Sequence, residues 1–115
     1  MQVSDSGAIL DRDQLRDITL DDEELMREIL AALIDDTSRQ LPLLELAIRD
    51  QDAQRCMRLA HYSKGACANV GANRAAATLK RIEHQASAHD FAECSASLAA
   101  LSAELERLRS EVVAL

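Results

Sequence analysis

Eight apolar residues near the end of the chain, Phe91, Cys94, Leu98, Leu101, Leu105, Leu108, Val112 and Leu115, follow one another at spacings that alternate three and four. On a helix such residues make one continuous stripe; on a strand they would scatter over both faces. A stripe this long has to be covered, either by other helices of the same chain or by a second copy in a coiled coil. The chain carries its own cover. Leu25, Ile29 and Leu33, with Met26, Leu30 and Ile34 beside them, continue into Leu41, Leu44 and Ile48. A third run, Ala72, Ala75, Ala76, Leu79, Ile82 and Ala86, repeats the period with smaller residues. The 115 residues are 48% apolar but hold three glycines, one proline and two aromatics (Tyr62 and Phe91), which is material for one core and little for turns. The expectation is an all-α protein: an antiparallel, up-down four-helix bundle with a short N-terminal lid helix.

Punctuation locates the helices. Residues 1–7 are small and polar and read as a flexible N-terminal tip, leaving residues 8–115 as a single domain. Asp11 with Gln14 reads as a capping box for a lid helix from about Arg12 to Ile18, laid across the bundle on Ile9, Leu10, Leu15 and Ile18. Asp21 with Glu24 reads as a second capping box, and the acidic first turn suits the positive end of the helix dipole. Pro42 falls inside this second helix, so a kink or short break is expected near Arg39 to Leu41. Asp50 is the expected cap of a third helix from about Gln51 to Val70, ended by Gly71 in a left-handed conformation. The fourth helix starts near Asn73, and Asp90 with Glu93 opens the last.

The third helix carries the chemistry. In the run from Leu59 to Ala72, Leu59, Ala66 and Val70 fall on one side and His61 on the other. Lys64 is one turn on from His61, on the same face; Gly65 and Ala68 flank the ring, and Asn69 lies two turns on. A glycine inside a helix costs about 0.5–1 kcal/mol against alanine, so Gly65 implies that something gains from the missing side chain. An imidazole with an ordinary pKa of about 6.5 offers a lone pair near neutral pH. An ammonium one turn away can meet phosphoryl oxygens. On these residues alone, His61 is either a phosphoryl acceptor or an ordinary surface histidine.

The run resembles the signature of histidine-containing phosphotransfer (HPt) domains: Ala60-His61, two residues, Lys64-Gly65, then Gly71-Ala72 closing the helix. Leu79 to Glu83 is similar to the leucine/isoleucine-glutamate element downstream in that family, and the resemblance spans about Ile9 to Leu108. Ser63 departs from it, because the family usually has leucine or isoleucine there. Ser63 falls on the core face, so packing is lost while the acceptor chemistry is untouched. The resemblance implies a histidine phosphocarrier of a two-component phosphorelay. It would accept a phosphoryl group on His61 from a receiver-domain aspartate, stabilise it with Lys64 and pass it to another receiver domain, without turnover of its own. Gly65, Ala68 and Asn69 then form a docking surface, fringed by Met57 and Arg58 a turn before His61. The fourth helix runs back from Gly71 and is expected to bring Lys80 or Arg81 level with His61, which makes Lys80 a candidate accessory cation. Glu83, near the buried stripe, is expected to pair structurally between helices, since an unpaired buried carboxylate is costly. His84 and His89 read as surface histidines.

The remaining signals are mostly exclusions. There is no glycine-rich phosphate loop and no kinase signature set. The resemblance implies that the chain binds no cofactor or metal, with the Mg²⁺ of phosphoryl transfer on the partner receiver. A net charge of −7 argues against nucleic acid as the main partner. No apolar run approaches the roughly 20 residues that span a membrane, and no basic segment leads into an apolar one as in a signal peptide. Cys56, Cys67 and Cys94 are odd in number, lack a Cys-x-x-Cys pair and read as core fillers in a reducing compartment, so a cytoplasmic protein is expected, and a bundle that buries its own seam is expected to be a monomer. Rival readings are the phosphotransfer module of a larger hybrid or chemotaxis-type histidine kinase, and a non-catalytic helical interaction module supported by the Leu98-Leu101-Leu105-Leu108 seam. The dimerisation domain of a sensor kinase is disfavoured because Tyr62, not an acid, follows His61. A carboxylate-bridged metal bundle would need inward Glu-x-x-His pairs, which the chain lacks.

Overall fold

The computed structural model describes residues 8–115; the expected flexible tip, residues 1–7, lies outside the described residues. Five helices follow in order: α1 (Arg12–Ile18), α2 (Glu23–Arg49), α3 (Ala53–Val70), α4 (Asn73–Ser87) and α5 (Phe91–Ala114). Each long helix packs on the next and α5 closes on α2, so α2 to α5 form the antiparallel bundle that the stripes require. The α1 helix plugs one end, burying Leu15 together with Ile9 and Leu10. Arg12 fixes it to α5 through Glu111 at 2.8 Å.

All four joints before the long helices share one device: a left-handed residue directly before the N-terminal cap. Asp21 (φ 64) precedes Asp22, Gln51 (φ 55) precedes Asp52, Gly71 (φ 95) precedes Ala72, and His89 (φ 59) precedes Asp90. This moves two expected caps. The second helix is capped by Asp22, not Asp21, and the third by Asp52, not Asp50. An N-cap needs non-helical, extended backbone, whereas Asp21 is left-handed and Asp50 is helical (φ −79, ψ −4) as the last cap of α2. Asp22 accepts from the Leu25 N–H at 3.0 Å and Asp52 from the Arg55 N–H at 3.1 Å. Asp11 and Asp90 cap as expected. Gln14 does not close a box with Asp11. Its Nε2 donates to the Ala68 carbonyl at 2.6 Å, while the Asp11 N–H donates to the Gly71 carbonyl at 2.8 Å, so both bonds tie α1 to the end of α3.

Three packing expectations are also corrected. The α2 helix runs through Pro42 without a break: the lost backbone bond is one among many, and buried Thr37, Leu44 and Ala47 on either side hold the helix. The buried line of α3 is Cys56, Ala60, Ser63 and Cys67, with Leu59, Ala66 and Val70 half-buried on its flanks. In α1, Ile18 is 50% exposed, and Thr19 is buried instead, its hydroxyl donating to the Leu15 carbonyl at 2.8 Å. The α5 seam meets its expectation: Cys94, Leu101, Leu105 and Leu108 are buried within this chain's own bundle. The interaction-module reading thereby loses its main support.

Candidate functional site

Two facts of the α3–α4 hairpin build the site. Its turn is only Gly71 and Ala72, and its inner faces carry small residues: Ala60, Ser63 and Cys67 on α3, Ala75 and Ala76 on α4. The helices therefore lie close, and a medium-length side chain on one can reach the other. Gly71 is required where it stands: at φ 95, an added Cβ would lie 2.8 Å from the Asp11 carbonyl oxygen.

His61 projects from α3 with its side chain 72% exposed. The residue across from it is Glu83, not Lys80 or Arg81 as the sequence suggested; Glu83 lies eleven residues past Ala72 and His61 ten before Gly71. One oxygen of its carboxylate is 3.2 Å from His61 Nδ1, and the other is 2.6 Å from Lys64 Nζ. Burial pushes the Glu83 carboxyl up, but the hydrogen bond and charge of Lys64, with those of His61 behind them, outweigh burial and hold it below its ordinary value. At neutral pH Glu83 is thus an anion that can only accept. When the His61 ring is neutral, an acceptor-only carboxylate at Nδ1 selects the tautomer with Nδ1–H, which leaves the lone pair on Nε2. The exposed ring stands one helical turn from the Lys64 ammonium, with the Glu83 carboxylate between them.

The surroundings are open. Gly65 is exposed, and a Cβ there would meet nothing within 4 Å, so the fold itself does not demand glycine. Ala68, Asn69 and Arg58 are exposed beside it, and so is Lys80 on α4; Met57 is half-buried and packs against the core. Tyr62 is 58% exposed, and its hydroxyl donates to Asp36 of α2 at 3.2 Å. The cysteines are free and buried, and burial pushes the Cys67 and Cys94 thiols up to about 11, far from thiolate reactivity at neutral pH. A groove of about 420 Å³ between α2 and α5, lined by Leu41, Pro42, Ile48 and Leu98, lies away from this chemistry. Among the described residues no group of three or more His, Cys, Asp or Glu could hold a metal ion, and no helix is long and apolar enough to cross a membrane.

A family model described as the Hpt domain matches residues 28–111. The chain belongs to the Hpt family. Members are histidine-containing phosphotransfer modules of two-component signalling that act with receiver domains. The crystal structure of histidine-containing phosphotransfer protein B (HptB) from Pseudomonas aeruginosa PAO1 matches with a TM-score of 0.83 over 92% of each chain, at 24% identity, a likeness of fold. No curated protein matches the chain.

Sequence reasoning gave Glu83 of this Hpt domain a structural role and overlooked its contact with His61. Counting residues equally from the Gly71-Ala72 turn leads from His61 to Ile82, the immediate neighbour of Glu83. It also treated the net charge as uniform. From Ala53 to Ser87 the chain carries six basic residues and one acid, a net of +5; the rest carries seven and nineteen, a net of −12. The one acid of the hairpin is Glu83.

Proposed function

We propose that this Hpt domain is a histidine phosphocarrier that takes a phosphoryl group from a receiver-domain aspartate onto His61 and passes it to another receiver. The observation that carries the proposal is the Glu83 carboxylate bridging His61 Nδ1 and Lys64 Nζ beneath an exposed ring. The Nε2 lone pair attacks phosphorus in line. The bond between phosphorus and the aspartyl oxygen breaks, and its electron pair leaves with the carboxylate. Nδ1 keeps its proton, so the phosphorylated ring is cationic and Glu83 balances it. Lys64 turns from Glu83 to the phosphoryl oxygens. The partner supplies the Mg²⁺ and remaining catalytic charge, docking over Gly65, Ala68 and Asn69 with Arg58 and Met57 at the fringe and Lys80 as an accessory cation. The return step is the same displacement in reverse. We read the domain as a cytoplasmic monomer.

The test is phosphoryl transfer from a phosphorylated receiver domain with Mg²⁺ to the wild type and to His61→Gln. Acid-labile label on the wild type and none on the variant is the expected result. No label from any of several receivers, with the bundle folded, would sink the proposal.

A further inference from the structure

Ion pairing occurs on both sides of the hairpin boundary: within the hairpin Lys64 pairs with Glu83 and Arg74 with Glu104, and outside it Arg49 and Arg107 form no ion pair with another described residue. Outside it, Arg12 pairs with Glu111, Arg16 with Asp13 and Asp21, Arg39 with Asp36, and Arg109 with Glu106. Within it, Arg58, Lys80 and Arg81 are exposed and form no ion pair with another described residue. Arg58 stands one helical turn before His61, and Lys80 one turn before Glu83. Unpaired cations therefore stand around the phosphoryl-acceptor face, while the other elements carry the −12.

We infer that this cationic rim steers the domain onto an anionic protein surface, the edge of a receiver's phosphorylated site, and orients it before contact. The inference rests on the phosphocarrier reading. It adds the chemistry of the docking partner. A site that holds a phosphorylated aspartate is itself anionic, and a Mg²⁺ site is lined by carboxylates, so its edge is negative. The exposed cations Arg58, Lys80 and Arg81 attract that edge and the acidic remainder of the chain repels it, so wrong-side encounters are rejected at long range. Nucleic acid is the less favoured occupant. The body is only 19 Å across its shortest axis, so a duplex on the basic face would also feel the acidic back.

The experiment compares two double variants of equal charge change: Arg58→Glu/Arg81→Glu on the rim, and Arg49→Glu/Arg107→Glu, both exposed and outside the hairpin. Single-turnover transfer from a phosphorylated receiver that loads the wild type is followed against receiver concentration, from about 25 mM to about 500 mM salt, where screening is nearly complete. The rim variant should lose about tenfold in kcat/KM at low salt. The loss should fall in KM with the saturated rate unchanged, and should disappear at high salt; the second variant should stay close to wild type. Equal losses in both variants, a loss confined to the saturated rate, or transfer insensitive to salt and to the rim would overturn steering and leave the phosphocarrier intact. Failure of every receiver to load the wild type overturns both. Binding of a short DNA duplex by the wild type and not by the rim variant would assign the face to nucleic acid and overturn the inference.

Discussion

The two halves of the bundle use opposite materials. Between them, α2 and α5 bury Leu30, Ile34, Leu44, Leu101, Leu105 and Leu108; α3 and α4 bury Ala60, Ser63, Cys67, Ala75 and Ala76 beside Leu79 and Ile82. Large aliphatic side chains remove more apolar area from water and hold the fold. Small ones let backbones approach, which is why Glu83 on α4 can reach both His61 and Lys64 on α3. Formal charge divides as well, with a net of +5 from Ala53 to Ser87 and −12 over the rest of the chain. One half is built for stability and the other for a close, open-faced site.

The largest effect that could break this comparison is in the core. Leu105→Ala should cost about 3 kcal/mol, whereas Ala75→Gly should cost about 1 kcal/mol. Urea unfolding of the two variants tests this, and equal losses would end the division of labour.

Next is Glu83→Gln, which should slow loading of His61 about tenfold in single-turnover labelling, since a charge-assisted hydrogen bond is worth about 1.5–3 kcal/mol. The same variant has a signature in pH. Glu83 has a folded-state pKa below its ordinary value, so its stabilisation is fully present above the unfolded pKa and lost as pH falls through the folded one. The wild type should unfold at higher urea than Glu83→Gln at neutral pH, and the gap should close in acid; a gap that widened would contradict the pairing.

Two serines sharpen the contrast between the halves. Ser63 on α3 is buried with no hydrogen-bond partner for its hydroxyl among the described residues, while the Ser97 hydroxyl on α5 donates to Gln85 at 2.8 Å. Ser63→Ala should stabilise by about 1 kcal/mol and Ser97→Ala should destabilise by a similar amount, read as opposite shifts in melting temperature. The smallest change expected is at the joint linking the halves. Gln51 is left-handed, which strains any residue with a Cβ, and Gln51→Gly should gain about 0.5 kcal/mol in the same thermal melts.

Much of this was legible without coordinates. The spacing of Leu98, Leu101, Leu105 and Leu108 required a covered helix, and the fold buries the last three and half-buries Leu98. Asp11, Gly71 and Asp90 stand at the boundaries their chemistry demands. The caps at Asp22 and Asp52 were missed by one and two residues, because a left-handed residue at a joint is easy to foresee only when it is glycine. The buried line of α3 was misplaced because cysteine, alanine and serine carry too little hydrophobic contrast to reveal which side is buried.

By itself, the sequence determined the helices, their order, the bundle and the histidine with its lysine and glycine, because helical period and spacing are local properties of the chain. Only the tertiary structure decided that Glu83 joins His61 and Lys64 and which ring nitrogen it leaves bare. Those contacts depend on the register and separation of two helices, set by the Gly71-Ala72 turn and the small residues between them. A bond of 3.2 Å across that gap is a fact about packing, and no stretch of either helix contains it.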